Sequence, residues 1–184
     1  MLYLLRHGLD DENYIGGWSN VSLTEEGKAS VYKSALWLKE NTSVNQIVSS
    51  DIKRAKETSL IVSSVLQVPI KYEQELREQS KGILNGMLKS QAQKLYPELF
   101  ENITINTKYP QGSSIRELYY QMSTYLKKLK AIDEALLVTH RGNINMIYYL
   151  LYGIPLDMDK ERFQVEHASV HELDLKLKKI RRVK

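Results

Sequence analysis

The 184-residue chain is 42% apolar and 26% charged, with a net charge of +4. That is the make-up of one soluble domain, residues 1–184, large enough to bury a core. It has no cysteine, which excludes disulfides, thiolate nucleophiles and cysteine-based zinc sites and fits a cytoplasmic setting. The N-terminal stretch does not read as a leader, and the longest apolar run, Met146 to Ile154, holds three tyrosines and a glycine and is too short to span a bilayer, so no membrane partner is expected.

Leu2 to Leu5 is a continuous apolar run, the pattern of a central parallel strand covered on both faces, and it ends directly on Arg6-His7-Gly8. Residues 8–23 form a polar loop long enough to be suspected of function. Thr24 with Glu25 and Glu26 predicts a capped helix running to about Glu40, with Ala29, Tyr32, Ala35, Leu36 and Lys39 tracing one face. Gln46 to Ser49 is a second strand. Ser50-Asp51 is expected to cap a helix from about Ile52 to Leu66, patterned at Ala55, Thr58, Ile61, Val62, Val65 and Leu66. Ile70 to Glu73 reads as a third strand. Residues 74–112 resist assignment, apart from a short helix around Ser90 to Tyr96 stopped by Pro97. Ser114 and Glu117 form a capping box for a helix carrying Ile115, Leu118, Tyr119, Met122, Tyr125, Leu126, Leu129 and Ile132 at helical spacing. Ala135 to Thr139 is another buried strand, followed by His140-Arg141-Gly142 and a helix from Asn143 to Tyr152 that stops at Gly153 and Pro155. In the tail, Leu173, Leu175 and Leu177 alternate with charged residues, which predicts a half-exposed C-terminal edge strand. The fold class is therefore α/β: a three-layer α/β/α sandwich with a mainly parallel central sheet and helices on both faces.

Three strand-to-helix junctions concentrate chemistry: Arg6 and His7, then Ser50, Asp51 and Arg54, then His140, Arg141 and Gly142. The carboxyl ends of strands in an open parallel sheet form the crevice where ligands bind, so two arginines and two histidines can converge there. Guanidinium pairs match phosphate oxygens in a planar, bidentate way, and a helix start with a glycine lets backbone N–H groups come close to an anion. The inferred ligand is a phosphoryl group.

The ordered segments Arg6-His7-Gly8, Asn13, Gly17-Trp18, Leu23-Thr24, Ser49-Ser50-Asp51 with Arg54-Ala55 and Thr58, Leu76-Arg77-Glu78 with Gly82 and Gly86, and Val138-Thr139-His140 with Gly142 cover most of the chain. Together they resemble the histidine phosphatase superfamily, in its phosphoglycerate-mutase-like branch. The resemblance implies that His7 is a nucleophile forming a phosphohistidine and that Arg6, Arg54 and His140 hold the phosphoryl oxygens. Asn13 and Gly142 are expected to help bind the phosphate. Glu78 would protonate the leaving oxygen and later activate water. Residue chemistry alone leaves Glu73 and Glu75 as competing acids; only the family spacing to Gly82 and Gly86 selects Glu78. The implied activity is a metal-independent phosphomonoesterase with no cofactor, acting on a small phosphorylated substrate or a phosphoprotein. The alternatives are a phosphoglycerate-type phosphomutase and a non-catalytic phosphate-binding module. Family mutases usually carry extra sequence between the acid and the second histidine. Here 61 residues separate Glu78 from His140, which favours hydrolysis.

The chain departs from the family pattern around this core. Asp10 stands where a threonine is usual, Asn20-Val21-Ser22 replaces Asp-x-Pro, Leu84-Asn85 replaces Trp-Glu, and Arg141 follows the second histidine where another branch has its acid. Asp10, Asp11 and Glu12 are expected to disfavour highly anionic substrates. His167 and His171 have a spacing that could bind metal on a helix, but on a strand four residues span about 13 Å, so no metal site is expected. The tail has six basic residues in nine, without aromatic platforms, which reads as a charged edge strand and not as a nucleic-acid surface. The twelve tyrosines are expected to lie mostly in the core.

Overall fold

The structure is a computed structural model and describes residues 1–129, 132 and 134–184. The apolar runs become neighbouring strands. Strand β1 (Leu2–Arg6) pairs in parallel with β4 (Ala135–Thr139), β4 with β2 (Gln46–Ser49), and β2 with β3 (Ile70–Tyr72). On the other side β1 pairs antiparallel with β5 (Val170–Asp174), and β5 with β6 (Lys179–Arg182). Among the described residues this gives one sheet in the order β3-β2-β4-β1-β5-β6. Register sets Arg6 opposite Thr139 and Ser49 opposite Val138, so β1, β2 and β4 end at one edge.

Successive strand residues point to opposite faces, and both faces are covered. Leu5, Ile47, Leu136 and Val138 pack against α1 (Glu25–Asn41) and α2 (Lys53–Leu66). Leu4, Val48 and Leu137 pack against α4 (Ile115–Leu129) and α5 (Arg141–Tyr152). A third, small core of Ile15, Leu84 and Ala92 ties the first loop to α3 (Lys89–Leu95). Among the described residues no helix is long and apolar enough to cross a membrane.

The expected α/β sandwich is present, with local corrections. Helix α1 is capped by Thr24, whose hydroxyl accepts from Gly27 N at 2.9 Å, but it buries Val31, Ser34, Ala35 and Leu38. Tyr32 (52% exposed) and Leu36 (40%) face outward, because the large residues Val31 and Leu38, seven apart, set the inner stripe. Helix α2 begins at Lys53 with no side-chain cap; Asp51 is taken by Arg77 instead. The C-terminal edge strand is a hairpin. Asp174 Oδ1 accepts from the backbone N–H groups of Lys176 and Leu177 and turns the chain, so β5 lies inside the sheet and β6 forms its edge. Tyr125, Tyr148 and Tyr149 are core residues, whereas Tyr32, Tyr72, Tyr120 and Tyr152 are exposed.

Candidate active site

His7 follows β1 directly and is tied to β4 by its backbone N–H, which donates to Thr139 O at 3.0 Å. Its Nδ1 lies 2.7 Å from the Gly8 carbonyl, which can only accept. Nδ1 therefore carries the proton and Nε2 the lone pair. Burial, then the charges of Arg54, His140 and Arg6, push its pKa well below the usual histidine value, so the imidazole stays neutral.

Two guanidiniums converge on that lone pair. Arg54 Nε donates to His7 Nε2 at 3.0 Å, while its other nitrogens are held by Ser19 Oγ (3.0 Å) and Gly17 O (2.8 Å). Gly17 sits at φ +56°, a left-handed conformation that suits glycine and turns its carbonyl to Arg54. Arg6 Nη1 donates to Val165 O at 2.7 Å, and Nη2 lies 2.5 Å from His167 Nε2, which must accept. Burial, then Arg141, pulls the Arg6 pKa down to about 10, which leaves it charged at neutral pH. Opposite, His140 Nε2 lies 2.8 Å from Ser50 Oγ, which itself accepts from Ile52 N. Among the described residues the Ser50 hydroxyl has no other acceptor for its proton, which therefore goes to Nε2, so that His140 Nδ1 carries the hydrogen. Among the described residues, neither this Nδ1 nor Arg6 Nε has a hydrogen-bond partner. Buried orphan donors of this kind mark a place for acceptor oxygens. The rings of His140 and His167 lie 5.2 and 5.5 Å from that of His7.

Glu78 comes from a segment of short 3-10 turns, yet its backbone is pinned from outside. Asn143 Nδ2 reaches the carbonyls of Leu76 (2.7 Å) and Arg77 (3.1 Å), and Thr139 Oγ1 donates to Leu76 O at 2.9 Å. Arg77 forms a two-pronged pair with Asp51 at 2.6 and 2.5 Å and stacks on Trp18, whose Nε1 donates to Glu78 O. The Glu78 carboxyl accepts from Gln79 N (2.9 Å) and Gly142 N (3.0 Å). A Cβ on Gly142 would lie 2.2 Å from Glu78 Oε1, so only glycine lets the carboxyl sit there.

Sequence expectation and structure agree on bringing Arg6, His7, Arg54, Glu78 and His140 together. They part on Gly142, whose N–H is spent on Glu78 and not held free for a phosphate. They part also on Asn13, which is exposed, donates to Asp11 Oδ1, and does not line the cavity. The competing acids are placed elsewhere: Glu73 is bound by Tyr125, Lys71 and Lys128, Glu75 pairs with Lys128, and neither lines the cavity.

Sequence reasoning missed His167. It lies in the turn before β5, where Ala168 has φ +57°, so it points to the site while His171 is buried between Tyr148 and Ser169. The signal available was a histidine just ahead of a buried strand beside β1. Asp10 also enters the site, 3.7 Å from Arg54 Nε and 4.0 Å from His167 Nε2. The nearest donor atoms of His7, Asp10 and His167 all lie within 4.8 Å of one another, a possible cation set. The lone pairs of both imidazoles already accept from Arg54 and Arg6, however, and two fixed positive charges flank them. That surrounding favours an anion.

Arg6, His7, Asp10, Arg54, Glu78 and His167 line a cavity of about 490 Å³, with His140 buried behind them. Beyond Glu78 its wall is formed by Lys81, Phe100, Ile103, Tyr109 and Tyr149. Burial lowers the Lys81 pKa to about 8, and its ammonium lies 4.5 Å from the centre of the Tyr109 ring.

Comparison with known proteins follows the same outline. The profile of the histidine phosphatase superfamily (branch 1) matches residues 2–184. A protein named "Probable phosphoglycerate mutase GpmB", from Escherichia coli O1:K1, is 25% identical over 182 residues, covering 94% of this chain and 84% of that protein. Bacillus stearothermophilus YhfR superposes with a TM-score of 0.80 at 24% identity, covering 95% of this chain and 91% of that one. A mycobacterial glucosyl-3-phosphoglycerate phosphatase does so at 0.73 and 23%, covering 92% and 87%. At these identities the structures share the fold.

Proposed function

The chain belongs to the histidine phosphatase superfamily, branch 1, and from that premise we propose that it is a metal-independent phosphomonoesterase working through a phosphohistidine on His7. The observation that carries this is the protonation pattern around the seat: His7 Nε2 holds a lone pair in a pocket lined by two guanidiniums, with the buried ring of His140 5.2 Å from that of His7.

In the first step the Nε2 lone pair attacks phosphorus in line, the bond to the ester oxygen breaks, and Glu78 gives its proton to that oxygen. In the second, Glu78 takes a proton from water, the oxygen of that water bonds to phosphorus, and the N–P bond breaks. Arg6, Arg54 and His140 stabilise the charge on the equatorial oxygens in both steps, Arg54 Nε passing its hydrogen bond from the His7 lone pair to a phosphoryl oxygen as the N–P bond forms. Covalent capture divides one difficult hydrolysis into two easier ones. A recessed cavity of this size fits a small phosphate ester, in keeping with the phosphatase name of one structural neighbour.

The name of the GpmB relatives supports a second reading, a phosphomutase, in which a substrate hydroxyl replaces water in the second step. A phosphate-release panel run with excess chelator on wild type and His7→Ala tests the main reading. Loss of at least about 10⁴-fold in the variant, with an acid-labile, base-stable phosphoenzyme trapped on the wild type, is the expected result. Activity that survives His7→Ala, or that requires added metal, would refute it. Supplying 3-phosphoglycerate with 2,3-bisphosphoglycerate separates mutase from hydrolase.

A further inference from the structure

All three acids after His7 line the cavity, but among the described residues only Asp10 comes within ion-pair distance of a clamp arginine. Asp11 Oδ1 accepts from Asn13 N and Nδ2 at 3.0 and 2.9 Å, and Glu12 is exposed. The Asp10 side chain is 13% exposed and lies 3.7 Å from Arg54 Nε, the same nitrogen that donates to the nucleophilic lone pair, with its nearest oxygen within 4.8 Å of a His7 ring nitrogen. A phosphoryl group bonded to His7 Nε2 would therefore put its oxygens against the Asp10 carboxyl.

The charges in the seat do not allow this encounter to pass unchanged. Arg6 and Arg54 supply two positive charges. The three imidazoles add none at neutral pH, since the pKa values of His7 and His140 lie well below the usual value and that of His167 is lowered to about 3, mainly by burial and then by Arg6. A phosphoryl dianion alone balances the two guanidiniums. A carboxylate added to it leaves unlike numbers of charges and, worse, two anions in contact in a desolvated pocket.

We propose that Asp10 is a proton-accepting specificity residue of the seat: it takes up one proton when a phosphoryl dianion binds, and the resulting carboxylic acid donates a hydrogen bond to a phosphoryl oxygen. This rests on the reading of the seat given under Proposed function. The proton comes from solvent, and no bond between heavy atoms changes. Burial already raises the Asp10 pKa in the free protein, against the lowering effect of Arg54 and Arg6; Glu12 raises it further. The nearest other groups, His7 and His167, are neutral, and His167 Nε2 at 4.0 Å accepts from Arg6 and so does not compete for the same hydrogen; Asp11, Glu78 and Arg141 are further charged groups on the same cavity wall. An incoming dianion adds a second, stronger raising effect. Without the ligand, Asp10 serves as counter-charge to Arg54; with it, Asp10 becomes a donor. The sign follows: binding is strongest at low pH and weakens as pH rises above the Asp10 pKa of the free protein, because the proton must then be taken from solution.

The test uses sulfate, a tetrahedral dianion that does not itself titrate between pH 5 and 9. Sulfate binding is measured by calorimetry at several pH values, in pairs of buffers that differ in ionisation enthalpy, for wild type, Asp10→Asn, Asp10→Ser and Glu12→Gln. The expected result is uptake of close to one proton per sulfate at neutral pH in wild type and Glu12→Gln, and close to none in both Asp10 variants. By linkage, wild-type affinity should fall close to tenfold per pH unit wherever one proton is taken up, whereas the Asp10 variants should be nearly flat below pH 7 and keep above it only the slope that Lys81, with its pKa lowered to about 8 in the same cavity, gives all four proteins. Equal proton uptake and equal pH slopes in wild type and both Asp10 variants would overturn the inference while leaving the phosphatase reading intact. Failure of all four proteins to bind sulfate and to release phosphate from any ester would overturn the phosphatase reading and the inference with it.

Discussion

The phosphoryl seat and the wall that carries Glu78 meet in one cavity but are held in place by opposite means. In the seat, His7 and His140 are the first residues beyond β1 and β4, and Arg54 lies in the first turn of α2. Sheet register alone brings these segments together, since Arg6 stands opposite Thr139 and Ser49 opposite Val138. The wall has no such frame. Its 3-10 turns are fixed by side chains reaching in from β4, α5 and the β2–α2 junction, through Thr139, Asn143 and Asp51. A seat set by the sheet should serve every substrate alike, whereas a wall set by side chains should serve the leaving group.

The largest effect expected from this contrast is in the seat. Arg54→Gln should lower kcat/KM by about 10³-fold, equally for alkyl and activated aryl phosphates, because it removes a preorganised donor to the equatorial oxygens. A loss confined to alkyl esters would dissolve the distinction between seat and wall. Next comes the wall itself. Glu78→Gln should lower kcat on alkyl phosphates by about 10²- to 10³-fold and on p-nitrophenyl phosphate by less than tenfold, since only a poor leaving group needs the proton. Equal losses on both would remove Glu78 from the acid role.

Gly142→Ala sharpens the comparison further, because Gly142 lies at the seat's edge but serves the wall. A methyl group 2.2 Å from Glu78 Oε1 and 3.0 Å from Leu118 Cδ2 must displace the carboxyl. About a tenfold loss on alkyl esters is expected, with inhibition by inorganic phosphate unchanged. Weakened phosphate inhibition would return Gly142 to the phosphate-binding role that its place after His140 suggests.

The smallest effect lies outside both regions and separates acid inactivation from acid unfolding. His171, enclosed by Tyr148 and Ser169, has its pKa lowered by burial, then by Arg182, to about 4. Between about 6.5 and 4 the unfolded chain binds a proton there that the folded one does not. Stability therefore falls as pH drops through that window, by up to about 1.4 kcal/mol per pH unit. His171→Gln should make the fall of Tm between pH 6 and 4.5 shallower, with His7, His140 and His167 keeping the remainder, whatever its effect on Tm at pH 7. Parallel curves would contradict this.

The contrast also explains which parts could be read in advance. Continuous apolar runs such as Leu2 to Leu5 and Ala135 to Thr139 fit buried strands, and a polar residue immediately after such a run lands at the sheet edge by geometry. The same logic fails for amphipathic elements with several plausible faces. In α1 the alternatives differ by about one residue of rotation, and the packing of Val31 and Leu38 against the sheet chooses between them. It fails for the tail, where alternation continued through a turn that Asp174 makes by bonding its own backbone neighbours. It fails for Asp51 as well: a plausible helix cap by sequence, it is drawn off by an arginine 26 residues away.

By itself the sequence determined the α/β frame and the convergence of Arg6, His7, Arg54 and His140, since strand hydrophobicity and junction position are local properties. It could name Glu78 only through its family spacing. The tertiary structure alone decided that Gly142 makes room for that carboxyl, that Asn13 stays outside, and that Asp10 and His167 stand in the seat. Those outcomes depend on which groups a turn or an irregular segment presents to partners distant in sequence, and on the charge balance that only assembly creates.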